Sequence, residues 1–298
     1  MWLVFRLIDL FFFASVAYLD EFLTSNNSTE EDASIHRRVG PVIMVSTLLS
    51  LLGLLVLSPF IVHADILSSA TWFGVLGGIA GAGMYTGYFY CLEKFPVQAV
   101  VPMFVLTVVW VLLYEVVRGA SFTTLGLVGV VGAGIGGYVL DAGFNLRIPR
   151  GVLLAMAPTT AVWATSFILI EEATTRTTAF TAYWFFLAGV LLVGLVYLAF
   201  VRPYRESFFE RLKAQRVSFG ATSLLNESLA MTSFFFQTLA LATAPFVSYV
   251  AATSGISNIY LLGLLFFFPL NERSKPTKTQ ITGIVIISAA TAMLGLAS

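Results

Sequence analysis

The feature that most constrains this chain is a series of long apolar runs separated by short polar breaks. A segment needs about 20 mostly apolar residues to cross the roughly 30 Å of hydrocarbon in a bilayer. About ten runs reach that length, and they cover 2–23, 41–62, 70–92, 96–117, 121–140, 151–171, 178–201, 217–241, 245–268 and 278–297. The runs are continuous and do not alternate, so they predict helices and not the strands of a barrel.

The composition agrees with a membrane location. Of the 298 residues 58% are hydrophobic and 11% are charged, and the mean hydropathy is +0.90. Soluble domains are about 45–50% apolar and about 25% charged. We therefore expect an all-α membrane protein whose surface contacts the lipid bilayer. Basic and acidic residues balance at 16 each, so nucleic acid is not an expected partner.

The connections between the runs leave no room for a soluble domain. The longest connections cover residues 24–40 and 202–216. We therefore expect a single membrane domain over residues 1–298.

The basic residues indicate the orientation, since cytoplasmic loops carry an excess of Lys and Arg. The first, third, fifth, seventh and ninth connections together hold thirteen basic residues, and the other connections hold two. Arg6 lies inside the first run. The thirteen are Arg37, Arg38, Lys94, Arg147, Arg150, Arg202, Arg205, Arg211, Lys213, Arg216, Arg273, Lys275 and Lys278. With ten spans, both termini are predicted to face away from the cytoplasm across the cell membrane.

Several short patterns recur in the two halves of the chain. Gly126 follows Glu115 by eleven positions, and Gly283 follows Glu272 by eleven positions. These recurrences predict two five-helix repeats over 1–145 and 146–298. An odd number of spans inserts the second repeat in the opposite sense, as in many secondary transporters. Shared composition is the alternative reason for the recurrence.

Three groups of motifs resemble one known family. The first half contains YCLEKFPVQA at 90–99, YE at 114–115 and TLG at 124–126, and the second contains APFVS at 244–248, NER at 271–273 and TQITG at 279–283. WATSF at 163–167 is similar to the Trp-small-small start of a repeat, whereas FFAS at 12–15 lacks the Trp-Gly of that start. The chain resembles the EamA-like family of the drug/metabolite transporter (DMT) superfamily.

The resemblance implies ten transmembrane helices as two inverted five-helix repeats (5+5). It also implies an exporter of small metabolites whose central cavity is lined by the first, third, fourth, sixth, eighth and ninth spans. Many members of the family have cytoplasmic termini, which disagrees with the charge count. We follow the charge count.

Ionisable residues deep in the runs are the first candidates for a site, because a charge at bilayer depth costs roughly 2.5–3.5 kcal/mol. Glu227, beside Asn226, lies near the middle of its run, and Asp9 follows Arg6 by three positions. Glu227 could exchange a proton against a cationic substrate, or it could bond to another helix. Arg6 and Asp9 form either a structural pair or part of a binding site.

Other acids, including Asp20 and Glu115, lie at the ends of runs. There we expect water or headgroups to reach them.

Polar and aromatic residues give further candidates for substrate binding. Tyr85 and Tyr88 belong to the third run, and Tyr249, Ser254 and Asn258 belong to the ninth. Ser254 and Asn258 share one helix face, since they are four positions apart. Hydrogen bonds between helices would explain them equally well. In the sixth run Trp163 faces either the cavity or the lipid.

Two prolines near mid-span, Pro102 and Pro158, predict local bends. Proline lacks an amide proton and clashes with the preceding helical turn. Bends near the midplane would suit gating, although they are common in helical membrane proteins.

These features favour transport among the functions open to such a chain. Since Arg6 is the single basic residue away from the ends of the runs, substrates with phosphate groups are not expected. We expect a secondary transporter of small neutral, zwitterionic or weakly cationic metabolites, such as amino acids. It would work by alternating access, coupled to protons, to another ion or to the substrate's own gradient. The alternative is a receptor or channel without coupled transport.

An enzyme is not expected, and neither a cofactor nor a metal is. His36 and His63 are the two histidines of the chain, and they lie at the edges of runs far apart in sequence.

Overall fold

The computed structural model describes residues 1–25, 35–61, 66, 68–95, 97–142, 150–214, 218–268 and 277–297. Every regular element in these ranges is helical, which confirms the all-α prediction. The α-helices are α1 (Trp2–Ser25), α2 (Ile35–Leu48), α3 (Ser50–Leu57), α4 (Ser69–Leu92), α5 (Val97–Val100), α6 (Leu106–Val117), α7 (Thr124–Ala142), α8 (Arg150–Thr174), α9 (Ala179–Phe200), α10 (Arg202–Ala214), α11 (Ser218–Thr243), α12 (Val247–Ala252), α13 (Ile256–Phe267) and α14 (Lys278–Leu296).

Six stretches of the described chain are long and apolar enough to cross a membrane. They are Trp2–Asp20, Ile35–Phe60, Arg150–Thr174, Ala179–Phe200, Val247–Phe267 and Lys278–Leu296. Two shorter apolar helices cover Met103–Val117 and Thr124–Leu140. The helices α4 and α11, of 24 and 26 residues, are not among these six stretches. The sequence prediction of membrane-spanning helices is confirmed at this level.

Three of the apolar segments are discontinuous, and in two of them, besides Ile35–Phe60, a short 3-10 turn separates two α-helices. The turn Val101–Val105 joins α5 to α6, and the turn Thr253–Gly255 joins α12 to α13. Pro102 lies in the first turn, where proline removes a helical hydrogen bond. The second turn contains no proline. At Pro158 α8 continues as a helix from Arg150 to Thr174.

The helices pack mainly as four pairs. The pairs are α1 with α11, α4 with α8, α7 with α14, and α4 with α9. In addition α6 packs on α8, and α13 packs on α1. Close approach in the third pair depends on glycine, because a Cβ at Gly283 would lie 2.5 Å from the backbone nitrogen of Leu140.

The connection over residues 202–216 contains a helix, α10, which packs on α2. A Cβ at Gly40 would lie 3.0 Å from the Tyr204 Cα, so glycine at this position lets the two helices meet. The hydroxyls of Tyr204 and Tyr90 are 2.9 Å apart, and Tyr90 also bonds to His36. These contacts connect α10 to α2 and to the end of α4.

Glu115 does not lie in water or among headgroups, contrary to expectation. It is 7% exposed, and its two carboxylate oxygens accept hydrogen bonds of 3.2 and 3.3 Å from the backbone amide of Ser248. The carboxylate therefore satisfies an amide in the first turn of α12, where the helix leaves amides unpaired.

Candidate functional site

A row of polar contacts joins α1 to α11, and we call it the polar seam. An Arg6 nitrogen donates to Gln237 Oε1 at 3.4 Å, Ser233 donates to the Asp9 carboxylate at 2.5 Å, and Asn226 donates to Asp20 at 2.8 Å. Residue numbers rise along α1 as they fall along α11, so the two helices are antiparallel. The seam buries three ionisable side chains of α1.

Arg6 lies at the break between α12 and α13. It is 3% exposed and forms an ion pair with Asp9. Its Nε donates to the Val250 carbonyl at 3.0 Å and lies 3.3 Å from Thr253 Oγ1, and its Nη2 donates to Ser254 Oγ at 2.8 Å. The guanidinium therefore satisfies acceptors around the 3-10 turn, while Asp9 balances its charge.

Three small cavities, each with room for about one water molecule, lie in a row beside the polar seam, and we name each after its ionisable residue. The Arg6 cavity is lined by Arg6, Leu10, Phe13, Phe104, Trp163, Gln237, Ser254 and Ser257. The Asp20 cavity is lined by Phe13, Val16, Ala17, Asp20, Met84, Tyr85, Tyr88, Phe104, Ala230, Ser233 and Phe234. The Glu227 cavity is lined by Ser46, Ser50, Tyr85, Tyr183, Phe186, Leu187, Val190, Glu227, Ala230, Met231 and Phe234.

Aromatic rings separate neighbouring cavities. Phe13 and Phe104 line both the Arg6 and the Asp20 cavity, and their ring centroids are 5.4 Å apart. Tyr85 and Phe234 line both the Asp20 and the Glu227 cavity, with centroids 5.6 Å apart.

Asp20 is buried, although its position at the end of a run predicted access to water. Its exposure is 1%, because α1 continues past it to Ser25 and packs on α11. The sequence does hold a signal that we missed. Asp20 follows Asp9 by eleven positions, or three helical turns, so both carboxylates lie on one face of α1.

Glu227 forms the bond to another helix that was one of its two proposed roles, and it also lies beside a cavity. The hydrogen bond, of 2.5 Å, comes from Ser46 on α2. Asn226, the preceding residue, bonds to Asp20. Two buried carboxyl groups from different helices are thus brought into one neighbourhood.

The other residues predicted for the site divide into two groups. Tyr85, Tyr88, Trp163 and Ser254 line the cavities. Tyr249 and Asn258 are buried but are not among the residues that line the three described cavities.

Tyr249 packs instead on the rings of Trp2 and Phe246. A Cβ at Gly126 would lie 1.7 Å from its hydroxyl oxygen, which gives Gly126 a packing role.

Three further residues of this region were not singled out from the sequence. Ser46 bonds to Glu227, while Ser233 and Gln237 belong to the polar seam. Serine and glutamine are common in membrane helices, and only the packing of α2 and α11 brings these three to the ionisable groups.

Comparison with known proteins gives a fold but no function. No known family matches the chain, and no curated protein matches it. One solved crystal structure of a protein is similar over 97% of this chain and 97% of its own, with a TM-score of 0.60 and 17% sequence identity. At that identity the similarity concerns the fold alone.

Proposed function

We propose that this protein is a secondary transporter of small neutral, zwitterionic or weakly cationic metabolites, working by alternating access. The observation that carries the proposal is the row of three cavities along the polar seam, with buried carboxyl groups at Asp20 and Glu227. Transporters of this type bind substrate near the bilayer midplane, at discontinuous helices between two repeats.

Interchange of the two halves preserves part of the packing, which supports a duplicated plan, whereas the extensive contact of α4 with α9 has only a small counterpart between α11 and α2. If α1 corresponds to α8 and α4 to α11, the pair α1 and α11 corresponds to the pair α8 and α4. The contact of α13 with α1 corresponds likewise to that of α6 with α8.

The two 3-10 turns fall at corresponding places, between α5 and α6 and between α12 and α13. We propose ten spans in two inverted repeats, 1–145 and 146–298, as in the EamA-like family.

The charge balance of the cavities supports a cationic substrate or proton coupling. Asp9 neutralises Arg6, whereas none of the described residues lining the Asp20 and Glu227 cavities is basic. Buried carboxylates without a cation are costly, so these groups would hold a proton or a cationic group of the substrate. Exchange of one for the other would couple transport to a proton gradient.

The orientation is part of the proposal. Asp20 lies in the half of α1 that leads to the connection containing Arg37, on the side where the thirteen basic residues cluster. By the positive-inside rule this side faces the cytoplasm, and both termini face away from it across the cell membrane.

Reconstitution in liposomes tests the proposal. The purified protein should move radiolabelled amino acids or small amines, and Glu227→Gln should reduce the flux at least tenfold. Glu210→Gln on α10 is the matched control, because Glu210 is exposed and lines none of the three described cavities. No flux of any compound above that of empty liposomes would contradict transport. Full flux with Glu227→Gln would remove this carboxyl from the mechanism.

A further inference from the structure

The helix α10 folds back on the end of a membrane-spanning helix. It begins one residue after α9 ends, and Val201, the residue between them, has a non-helical backbone. One turn into α10, Nη1 of Arg205 donates to the carbonyls of Leu198 and Ala199 at 3.3 and 3.2 Å, in the last turn of α9. Six of the 13 residues of α10 are charged, so this helix does not enter the hydrocarbon. It therefore lies at the surface of the membrane.

The two sides of α10 differ in burial. Tyr204 and Ser207 are buried on the side that packs on α2. On the other side Arg202, Phe209 and Lys213 are exposed, and their spacings of seven and four positions put them on one face of the helix. We call it the outer face of α10. An aromatic ring between basic side chains is typical of helices that lie in a membrane interface, with the ring at the boundary of the acyl chains.

Positive charge is in excess around the outer face. Arg202 donates to Glu206 at 2.6 Å, and Arg37 of α2 lies 3.9 Å from the same carboxylate, so two bases share one acid. The helix as a whole has four basic and two acidic residues. Exposed ion pairs of this kind are weak, so the cations can also contact an anion outside the protein.

A phospholipid matches both components of the outer face. Its phosphate group fits the basic side chains, and its acyl chains fit the ring of Phe209, which is 46% exposed. A small soluble anion would leave that ring in water. The proposed orientation places α10 on the cytoplasmic side, where acidic lipids attract Lys and Arg side chains near the surface.

We propose that the outer face of α10 binds anionic phospholipids of the cytoplasmic leaflet. Arg202 and Lys213 lie about 16 Å apart along the helix axis, at 1.5 Å per residue, so they contact different headgroups. Phe209, between them, lies at the upper end of the acyl chains. The proposal takes only the choice of leaflet from the proposed orientation, and it does not depend on transport.

Fluorescence quenching at the outer face tests the proposal on the full-length protein in neutral detergent micelles. Phe209→Trp adds a fluorophore there, and the signal of the protein without this change, which has five Trp, is subtracted. Phosphatidylglycerol or phosphatidylcholine, each with the same brominated acyl chains, is then titrated. We expect phosphatidylglycerol to quench the added Trp at least tenfold lower concentration than phosphatidylcholine, because only the first lipid has a net negative charge.

Removal of the cations should weaken this contact. Arg202→Gln/Lys213→Gln in the Phe209→Trp protein should lower the affinity for phosphatidylglycerol about twentyfold, or about fivefold for each cation. Lys278→Gln is the matched control, since Lys278 is exposed, belongs to the same thirteen basic residues and begins α14, which packs mainly on α7. Its effect should be less than twofold. If the double variant does not fold, the salt dependence of the Phe209→Trp protein decides, because a contact between opposite charges weakens as salt screens it.

Four results would overturn the proposal. They are equal quenching by the two lipids, no quenching by either, an unchanged affinity when the two cations are removed or salt is raised, and a loss with Lys278→Gln as large as with the double variant. Inorganic phosphate at 10-fold excess over the lipid should not reverse the quenching; reversal would mean a site for soluble anions. Transport is not measured in this experiment, so its result leaves the proposed function unaffected.

Discussion

Two helix pairs of this molecule are packed alike and differ in chemistry. α1 and α11 meet along the polar seam, and α4 and α8 meet along a line that we call the glycine seam. Both pairs are antiparallel. In the glycine seam a Cβ at Gly87 would lie 2.4 Å from Thr159 Oγ1, and Ser166 donates to the Gly77 carbonyl at 2.8 Å.

The difference indicates how one packing arrangement can serve two purposes. Small residues in the glycine seam let the two backbones approach closely, which gives van der Waals contact in lipid. Long charged and amide side chains in the polar seam keep α1 and α11 bonded, and the three cavities lie beside them. We therefore expect mutations in the glycine seam to change stability and those in the polar seam to change both stability and transport.

The largest expected effect concerns the ion pair of the polar seam. Arg6→Met leaves the Asp9 carboxylate buried without its cation, and should lower the free energy of unfolding by about 3–5 kcal/mol. The double variant Arg6→Met/Asp9→Leu removes both charges and should recover most of that loss. Unfolding in mixed detergent micelles measures both. If the double variant is no more stable than Arg6→Met, the unpaired charge of Asp9 does not cause the loss of stability.

The next effect compares one hydroxyl from each seam. Ser233→Ala removes a donor to a buried carboxylate and should cost about 1.5–3 kcal/mol, as expected for hydrogen bonds to charged groups. Ser166→Ala removes a donor to a neutral carbonyl and should cost about 0.5–1.5 kcal/mol. Unfolding of the two variants under identical conditions gives the comparison. Equal costs would mean that Asp9 is not charged in the folded protein.

A third experiment addresses the close approach in the glycine seam. Gly87→Val should cost about 1–3 kcal/mol, because the new side chain meets Thr159. Gly134→Val is the control, since a Cβ there meets no atom within 4 Å. Transport by Gly87→Val, measured at a temperature where it is folded, should remain normal. Loss of transport with intact folding would contradict the division of roles between the seams.

The smallest expected effect is the coupling between Asn226 and Asp20. A double-mutant cycle of Asn226→Ala and Asp20→Asn should give a coupling of about 0.6 kcal/mol, the average for hydrogen bonds between membrane helices. The free energies of unfolding of the four proteins give this coupling. Transport should fall with Asp20→Asn far more than this coupling implies, because the carboxyl group itself holds the proton or cation.

Parts of the site could be predicted from the sequence. Glu227, Asn226 and Asp9 stood out because charged and amide groups are rare at bilayer depth, and all three take part in contacts between helices. Trp163 could not be assigned to cavity or lipid, and the structure buries it against the Arg6 cavity. Asp20 was misjudged because the end of an apolar run need not be the end of a helix.

The break between α12 and α13 shows a second limit of what the sequence predicts. Pro102 identifies the turn at Val101–Val105, since proline cannot continue a helix unperturbed. The turn at Thr253–Gly255 has no such residue, and Arg6, from a distant part of the chain, bonds to the groups around it.

The sequence by itself determined that the chain forms long apolar helices. Each long apolar run lies in lipid, where its backbone must form its own hydrogen bonds, and a helix forms them within one segment. The sequence also identified Arg6, Asp9 and Glu227 as ionisable groups that would be buried. Only the tertiary structure decided their partners, since residues such as Arg6 and Gln237 meet through the register of two helices packed side by side. That register depends on side-chain fit over whole helices, which no local pattern of residues contains.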